Sequence, residues 1–439
     1  MDISVVGLGK LGLCTAACFA MKGHNVTGID KNEHFIKELS QKRCPINENN
    51  LIETLNKAWD CFTITTDIAH AIENSCLTMI ITPTPSDESG KFSNAFIESV
   101  LSEIAPLIQK KQSFHIVDVV STVMPGSCDN VFKPFLESKT GKQCGKDFGL
   151  VYNPEFIALG SVIRDFLNPD MILIGASDDL SASTVEKLYL ESCNSSPRVC
   201  KMSLINAEIT KLSLNCYVTM KVSFANQLAS ICENVPGSDV DAITTAIGAD
   251  SRVGSKYLKG GLGFGGPCFP RDNIAFQAFA ESFGARAPIG RQVIDVNNDV
   301  VERIFRIISN NAKPSGKIAI LGMSYKSGTH IIEESQAVIL ASRLIASGYK
   351  VSAHDPAALE GVKAHFGETI EISKDLYEAI TDTNAIILMM DWPEYKQLNF
   401  DKISQLAHKN ALFLDCWRIY KSTKITGLNY IGFGLGLLH

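Results

Sequence analysis

Residues 3–30 read ISVVGLGKLGLCTAACFAMKGHNVTGID. Ile3–Val6 is a short apolar run of strand type. Gly7, Gly9 and Gly12 follow at once in a GxGxxG spacing, and LGLCTAACFAMKGH continues as an apolar helix ending near Gly23. NVTGI is a second strand, closed by Asp30, 18 residues past Gly12. A strand, a glycine turn, a helix, a strand and an acid in that order form a dinucleotide-binding βαβ unit. The turn Gly7-Leu8-Gly9-Lys10-Leu11-Gly12 brings backbone against a pyrophosphate at the helix N-terminus. The Asp30 carboxylate accepts from both ribose hydroxyls and repels a 2′-phosphate, so the expected cofactor is NAD rather than NADP.

The same alternation continues outward. LTMIITPTP, HIVDVVSTV and MILIGA are further strands among helical patterns, so a mostly parallel sheet with helices on both faces is expected. TPTP (82–85, with Thr84 and Pro85) and STV (121–123, with Ser121 and Thr122) fall at strand ends, where open α/β sheets place their ligand crevice. Residues 203–235 contain no Pro or Gly. Apolar residues recur there at helical spacing, predicting one helix of about 45–50 Å. Such a helix suits an interdomain spine or a dimer interface. Shorter helical patterns are expected through about residue 310. From KIAILGMSYKSGT a second α/β block echoes the first: IAILGMS…SGYKVSAHDP beside ISVVGLG…KGHNVTGID. The expected fold class is therefore α/β, with two Rossmann-like doubly wound domains joined by a helical middle. The domains are placed at 1–198 (NAD binding), 199–310 (helical) and 311–439 (the second α/β domain).

The chain has 439 residues, a net charge of −6, and 45% hydrophobic and 20% charged residues. Mild acidity argues against a nucleic-acid surface. No apolar run approaches the ~18 residues of a membrane span. The N-terminus enters a strand with no basic leader, and a cytoplasmic location is expected. Thirteen cysteines, in no CxxC or metal-like spacing, read as reduced thiols. No metal site is expected. Cys14 and Cys18, one turn apart in an apolar helix, read as core.

One cysteine differs from the others. KGGLGFGGPCFPRD (259–272) surrounds Cys268 with five glycines. Pro270 suits the first turn of the following helix. Cys268 then stands at a helix N-terminus, which favours its thiolate, with Arg271 and Asp272 close in sequence. On the long helix Lys211 and Asn215 share a face, either as a solvated surface or as a cation and an amide aimed at one oxygen. Glu155, in NPEF (153–156), is by pattern either a surface-loop acid or a functional one. A dinucleotide fold with a nucleophilic thiol points to oxidation beyond an alcohol, because a thiol adduct of an aldehyde can release a second hydride.

These motifs resemble the UDP-glucose/GDP-mannose dehydrogenase family along essentially the whole chain: GLGKLG, Asp30, TPTPS, STVMPGS, NPEF, AEITKLSLNCYVTMKVSFAN, DSRVGSKYLKGGLGFGGPCFPRD, LGMSYKSGT and DWPEY. The resemblance implies oxidation of a sugar C6 alcohol to a carboxylate with two NAD, in a homodimer. It implies that Cys268 attacks the intermediate aldehyde, that Lys211 and Asn215 steady the alkoxide and oxyanions, and that Asp272, Thr122 and Glu155 hold or activate water. Phe156 and Ile157 would line the sugar loop. Arg252, Tyr257, Gly261, Phe264, Gly265 and Lys326, with Lys211 and Asn215, would contact the nucleotide sugar, and Arg271 and Glu155 the cofactor. The periphery departs from the family at Phe35, Leu159, Met171, Pro267, Arg271, Ile331 and Glu333. UDP-glucose is the expected substrate, with a UDP-N-acetylhexosamine or GDP-mannose as alternatives. A two-electron hydroxyacid dehydrogenase and a non-catalytic nucleotide-binding relative are the competing readings.

Overall fold

The computed structural model describes residues 1–436. The chain forms two compact units, Met1–Ser213 and Leu214–His439. In the first, eight strands form one sheet: β1 Asp2–Val6, β2 Asn25–Ile29, β3 Phe62–Thr65, β4 Leu77–Ile80, β5 Ile116–Val119, β6 Gly149–Tyr152, β7 Met171–Ala176 and β8 Arg198–Met202. Their order is β3-β2-β1-β4-β5-β6-β7-β8. All pairs are parallel except β6 with β7. Strand Ile116–Val119 is buried at every position, Asp118 included, because helices cover both faces of the sheet. Small residues on helix Lys10–Met21, among them Cys14, Ala16, Ala17 and Cys18, are fully buried and let it lie close to the sheet. The order reverses between β1 and β4, which opens a crevice beyond the carboxyl ends of these strands.

The expected domain boundary at 198 needs correction. β8 pairs with β7 from Met171↔Arg198 to Gly175↔Met202, so the first sheet runs on to Met202. Arg198 opens this strand, and a cut there would strip the sheet of its edge.

The long helix is Leu204–Glu233, 30 residues. Within the second unit, helices Val240–Ala249, Phe269–Ser282 and Pro288–Asn311 precede a six-stranded parallel sheet. Its strands are β9 Lys317–Leu321, β10 Lys350–His354, β11 Glu371–Ile372, β12 Ala385–Leu388, β13 Leu412–Asp415 and β14 Asn429–Gly432, in the order β11-β10-β9-β12-β13-β14. Pro288–Asn311 is 24 residues long, not one of several short helices. Its buried side is Val293, Asn297, Val300, Val301, Ile304 and Ile308, and the asparagine in that stripe masked the periodicity. No helix among the described residues is long and apolar enough to cross a membrane.

Candidate active site

In the first unit the glycine turn, Asp30, Thr84, Pro85, Ser121 and Thr122 stand at the carboxyl ends of β1, β2, β4 and β5, while Glu155 follows β6 and Arg271 lies in the second unit. Gly7 has φ +94°, and a Cβ there would lie 2.3 Å from Ile81 O. A Cβ on Gly12 would lie 1.9 Å from Gly7 O. Packing therefore demands both glycines. Gly9 is different: φ is −61° and a Cβ would meet nothing within 4 Å. Packing within the chain makes no such demand at Gly9. Gly9 also begins helix Lys10–Met21 without a side-chain cap, as a pyrophosphate site requires. Asp30 accepts from Leu8 N (2.9 Å) and Asn32 N (2.9 Å), which ties the ribose acid to the turn. The later strand ends are stitched together. Ser121 Oγ accepts from Thr82 N at 2.9 Å and donates to Thr82 O at 2.7 Å, while Thr84 Oγ1 donates to Thr122 O at 2.8 Å. Pro85 is exposed beside them. These residues fit a bound NAD.

The second sheet repeats the topology without that equipment. Gly322 turns at φ +98°. Asp355, 2% exposed, accepts from Met323 N, Ser324 N and Oγ, Ala357 N and Ala358 N. Its carboxylate is engaged within the chain and cannot serve a ribose as Asp30 can.

Past the end of β6, NPEF turns Glu155 inward. Tyr189 OH donates to Glu155 Oε1 at 2.7 Å. Lys211 Nζ donates to Glu155 O at 2.6 Å and lies 4.6 Å over the Phe156 ring. Burial pushes the Glu155 carboxyl up to about 7, against the opposing pull of the Tyr189 hydroxyl and the Lys211 charge. Neither is a solvated surface position: Lys211 is 7% exposed, and Glu155 is half-buried against Tyr189. Ile157 packs on the core of this unit.

Asp118 on β5 was not anticipated. It is fully buried, and neither carboxyl oxygen has a hydrogen-bond partner. Burial, reinforced by the charge of Glu155, drives its carboxyl well above the usual range, so it is held as the neutral acid. The sign follows from linkage. The unfolded chain loses this proton near pH 4 and the folded chain keeps it, so the group withdraws stability as pH rises through the interval between the two values. Asp118→Val removes the penalty. In urea unfolding at pH 5 and pH 8 the variant should be more stable than wild type, by a margin growing up to about 1.4 kcal/mol per pH unit. A constant margin would contradict the assignment.

The second unit builds the thiol. Cys268 is exposed and opens helix Phe269–Ser282, with Pro270 in its first turn. Its carbonyl accepts from Asp272 N at 2.8 Å. Asp272 is 1% exposed, and its Oδ2 accepts from Asn215 Nδ2 at 2.6 Å. Arg271 Nε approaches Asp272 Oδ1 at 3.8 Å. The loop glycines are required by closeness. A Cβ on Gly265 would lie 2.2 Å from Glu334 O, and one on Gly266 (φ +80°) 2.6 Å from the Tyr325 ring. Gly261 is extended against the Trp417 ring. Phe264 is buried, its backbone clamped by Asn297, whose Oδ1 accepts from Phe264 N and whose Nδ2 donates to Phe264 O. Tyr257, at φ +63°, sets its ring edge-on to Phe269. Lys326 Nζ lies 5.8 Å from the Tyr325 ring centroid. Arg252 stands apart, strongly exposed and paired with its neighbour Asp250 at 2.6 Å.

Residues given no role in the sequence reading brace both units. Arg418, at φ +56°, buries its guanidinium on Asp241 (2.9 Å), Gly260 O (2.6 Å) and Phe433 O (2.6 Å). In the first unit Glu208 accepts from Gly126 N (2.6 Å) and Cys128 N (2.8 Å), bracing the segment after STV. Each contact joins residues far apart in the chain, and only an acid on a buried helix face hinted at Glu208.

Residues 1–192 match the NAD binding domain of the UDP-glucose/GDP-mannose dehydrogenase family, residues 205–299 its central domain and residues 319–422 its UDP binding domain. The chain is 33% identical over 436 residues to UDP-glucose 6-dehydrogenase AglM of Haloferax volcanii, covering 98% of this chain and 99% of that protein. It is 31% identical to UDP-glucose 6-dehydrogenase TuaD of Bacillus subtilis, covering 99% and 93%. A solved UDP-glucose dehydrogenase from Pyrobaculum islandicum superposes with a TM-score of 0.89 at 29% identity, covering 99% of this chain and 98% of that one.

Proposed function

Because the chain belongs to the UDP-glucose/GDP-mannose dehydrogenase family, we propose that it oxidises the C6 alcohol of a nucleotide sugar, UDP-glucose, to the carboxylate in two NAD-dependent steps. The observation that carries the reading is the exposed Cys268 thiol at a helix start, over a buried Asp272 held by Asn215, in a chain whose first unit is built for NAD.

When bound, NAD supplies the hydride acceptor for both oxidations, held by Gly7–Gly12, Asp30, Thr84, Pro85, Ser121, Thr122 and Arg271. The Lys211 ammonium and Asn215 amide stabilise negative charge on the C6 oxygen. Cys268 Sγ bonds to the aldehyde carbon and gives a thiohemiacetal that still carries the C6 hydrogen. Oxidation of that adduct leaves a thioester. Water then adds to its carbonyl, the C–S bond breaks, sulfur takes a proton and the carboxylate departs. Glu155, Thr122 and Asp272 hold or activate this water. Phe156 and Ile157 line the sugar. Arg252, Tyr257, Gly261, Phe264, Gly265 and Lys326 contact the nucleotide sugar, where the cations suit a diphosphate.

Glu155 accepts a proton only when ionised, and burial has moved its carboxyl to about 7. Acid formation should therefore fall as pH drops below about 7, approaching tenfold per unit, and level off above it. Glu155→Gln should lower the plateau and abolish the slope, read as kcat against pH. A slope unchanged in that variant would assign the titration to another group.

A homodimer through the helix at 203–235 fits this reading. In the second unit Tyr217 (54% exposed), Phe224 (48%) and Ile231 (54%) recur at seven-residue spacing along that helix, an apolar stripe suited to a second copy. A helical dimerisation domain up to residue 310, a nucleotide-sugar domain from 311 and a cytoplasmic location complete the proposal.

The test is a panel of nucleotide sugars with NAD, followed to the uronate. UDP-glucose should give the highest kcat/KM. Preference for a UDP-N-acetylhexosamine or GDP-mannose would overturn the sugar and keep the chemistry. NAD binding without turnover of any sugar would identify a non-catalytic relative.

A further inference from the structure

Residues 41–50, QKRCPINENN, look from composition like an exposed connection. Glu48 contradicts that: it is 8% exposed, and its carboxylate serves two backbone amides far along the chain. Oε2 accepts from Gly160 N at 3.0 Å and Oε1 from Val162 N at 3.1 Å. The next residue closes the clamp, with Asn49 Nδ2 donating to Gly160 O at 2.7 Å. Consecutive side chains thus hold both backbone groups of Gly160.

The local sequence does not supply this support. Helix Val162–Leu167 begins after Ser161, whose side chain does not cap it. The Ser161 hydroxyl donates instead to Asp165 Oδ2 at 2.6 Å. Glu48 provides the missing capping carboxylate, with the charge a helix N-terminus favours. The strap that carries it is itself fixed. Arg43 grips Glu38 with two bonds (3.0 and 2.6 Å), and Cys44 and Ile46 pack on the same core cluster as Ile157 and Leu159.

Residues 153–160 form no helix or strand. Their anchors are Lys211 on Glu155 O, Ser161 and Asp165 on the backbone of Ala158, and Glu48 and Asn49 on Gly160 and Val162. Between them lie Phe156 and Ile157. We propose that Glu48 is a positioning residue that sets the shape of the 156–160 segment and thereby the affinity for the sugar. This rests on the reading of Phe156 and Ile157 as sugar-lining. Glu155 retains its own anchor, so loss of Glu48 should disturb sugar binding far more than chemistry or NAD binding.

The test is steady-state kinetics of Glu48→Ala and Glu48→Gln beside wild type, with amide hydrogen exchange on the ligand-free proteins. Glu48→Ala should raise KM for the nucleotide sugar 10- to 100-fold, with kcat within about threefold and KM for NAD within about twofold. Exchange at Gly160 and Val162 should quicken at least tenfold. Glu48→Gln keeps one carbonyl acceptor and should fall between, which preserves the test if the alanine variant fails to fold. Unchanged sugar KM in both variants would overturn the proposal, as would equal rises in both KM values with a lowered melting temperature. A wild-type protein that turns over no nucleotide sugar would instead refute the functional reading, while the exchange data still judge the clamp.

Discussion

Cys268→Ser should reduce acid formation by on the order of 10³-fold or more, the scale on which loss of a covalent catalyst is felt. The hydroxyl is a far weaker nucleophile than the thiolate and does not form the thioester on which the second oxidation depends. The effect is separable from folding. The thiol is exposed, and it stands at a helix N-cap position, where serine is among the preferred residues. The melting temperature should hold or rise slightly while uronate disappears from the products. Undiminished uronate in a folded Cys268→Ser protein would refute the thioester route.

Lys211→Ala should lower kcat by about 10²- to 10³-fold, the typical loss for a donor that stabilises an oxyanion. A second readout separates this role from general damage. The Lys211 charge opposes the burial that raises Glu155, so its removal should move the lower limb of the pH–rate profile further upward from about 7. Lys211→Arg should not restore the rate, because a planar guanidinium does not reproduce a compact ammonium over the Phe156 ring. A rate loss with the pH limb unmoved would mean that Lys211 acts independently of Glu155.

The cofactor turn and the thiol were readable because their signals are local. Gly7, Gly9 and Gly12 stand at fixed spacing in one strand–turn–helix stretch, and Cys268 has a proline two residues on and a helix that starts beside it. Glu155 and Lys211 were ambiguous in sequence because solvated and buried positions share the same helical and loop patterns. The hydrogen bond from Tyr189 takes Glu155 off the solvated surface, and the bond to Glu155 O does the same for Lys211. Glu48, Asp118, Asn297 and Arg418 left no local trace. Each is a polar residue whose partner, or lack of one, is set by a chain segment dozens of residues away. The boundary at 198 failed for the same reason, since pairing of β8 with β7 is a long-range register that composition does not record.

The most direct measurement is the number of NADH formed per nucleotide sugar consumed, with the product identified at C6. Two oxidations at one carbon, joined by a Cys268 adduct, predict two NADH per uronate and no released aldehyde. One NADH per sugar, with an aldehyde or ketone as the final product, would contradict the account.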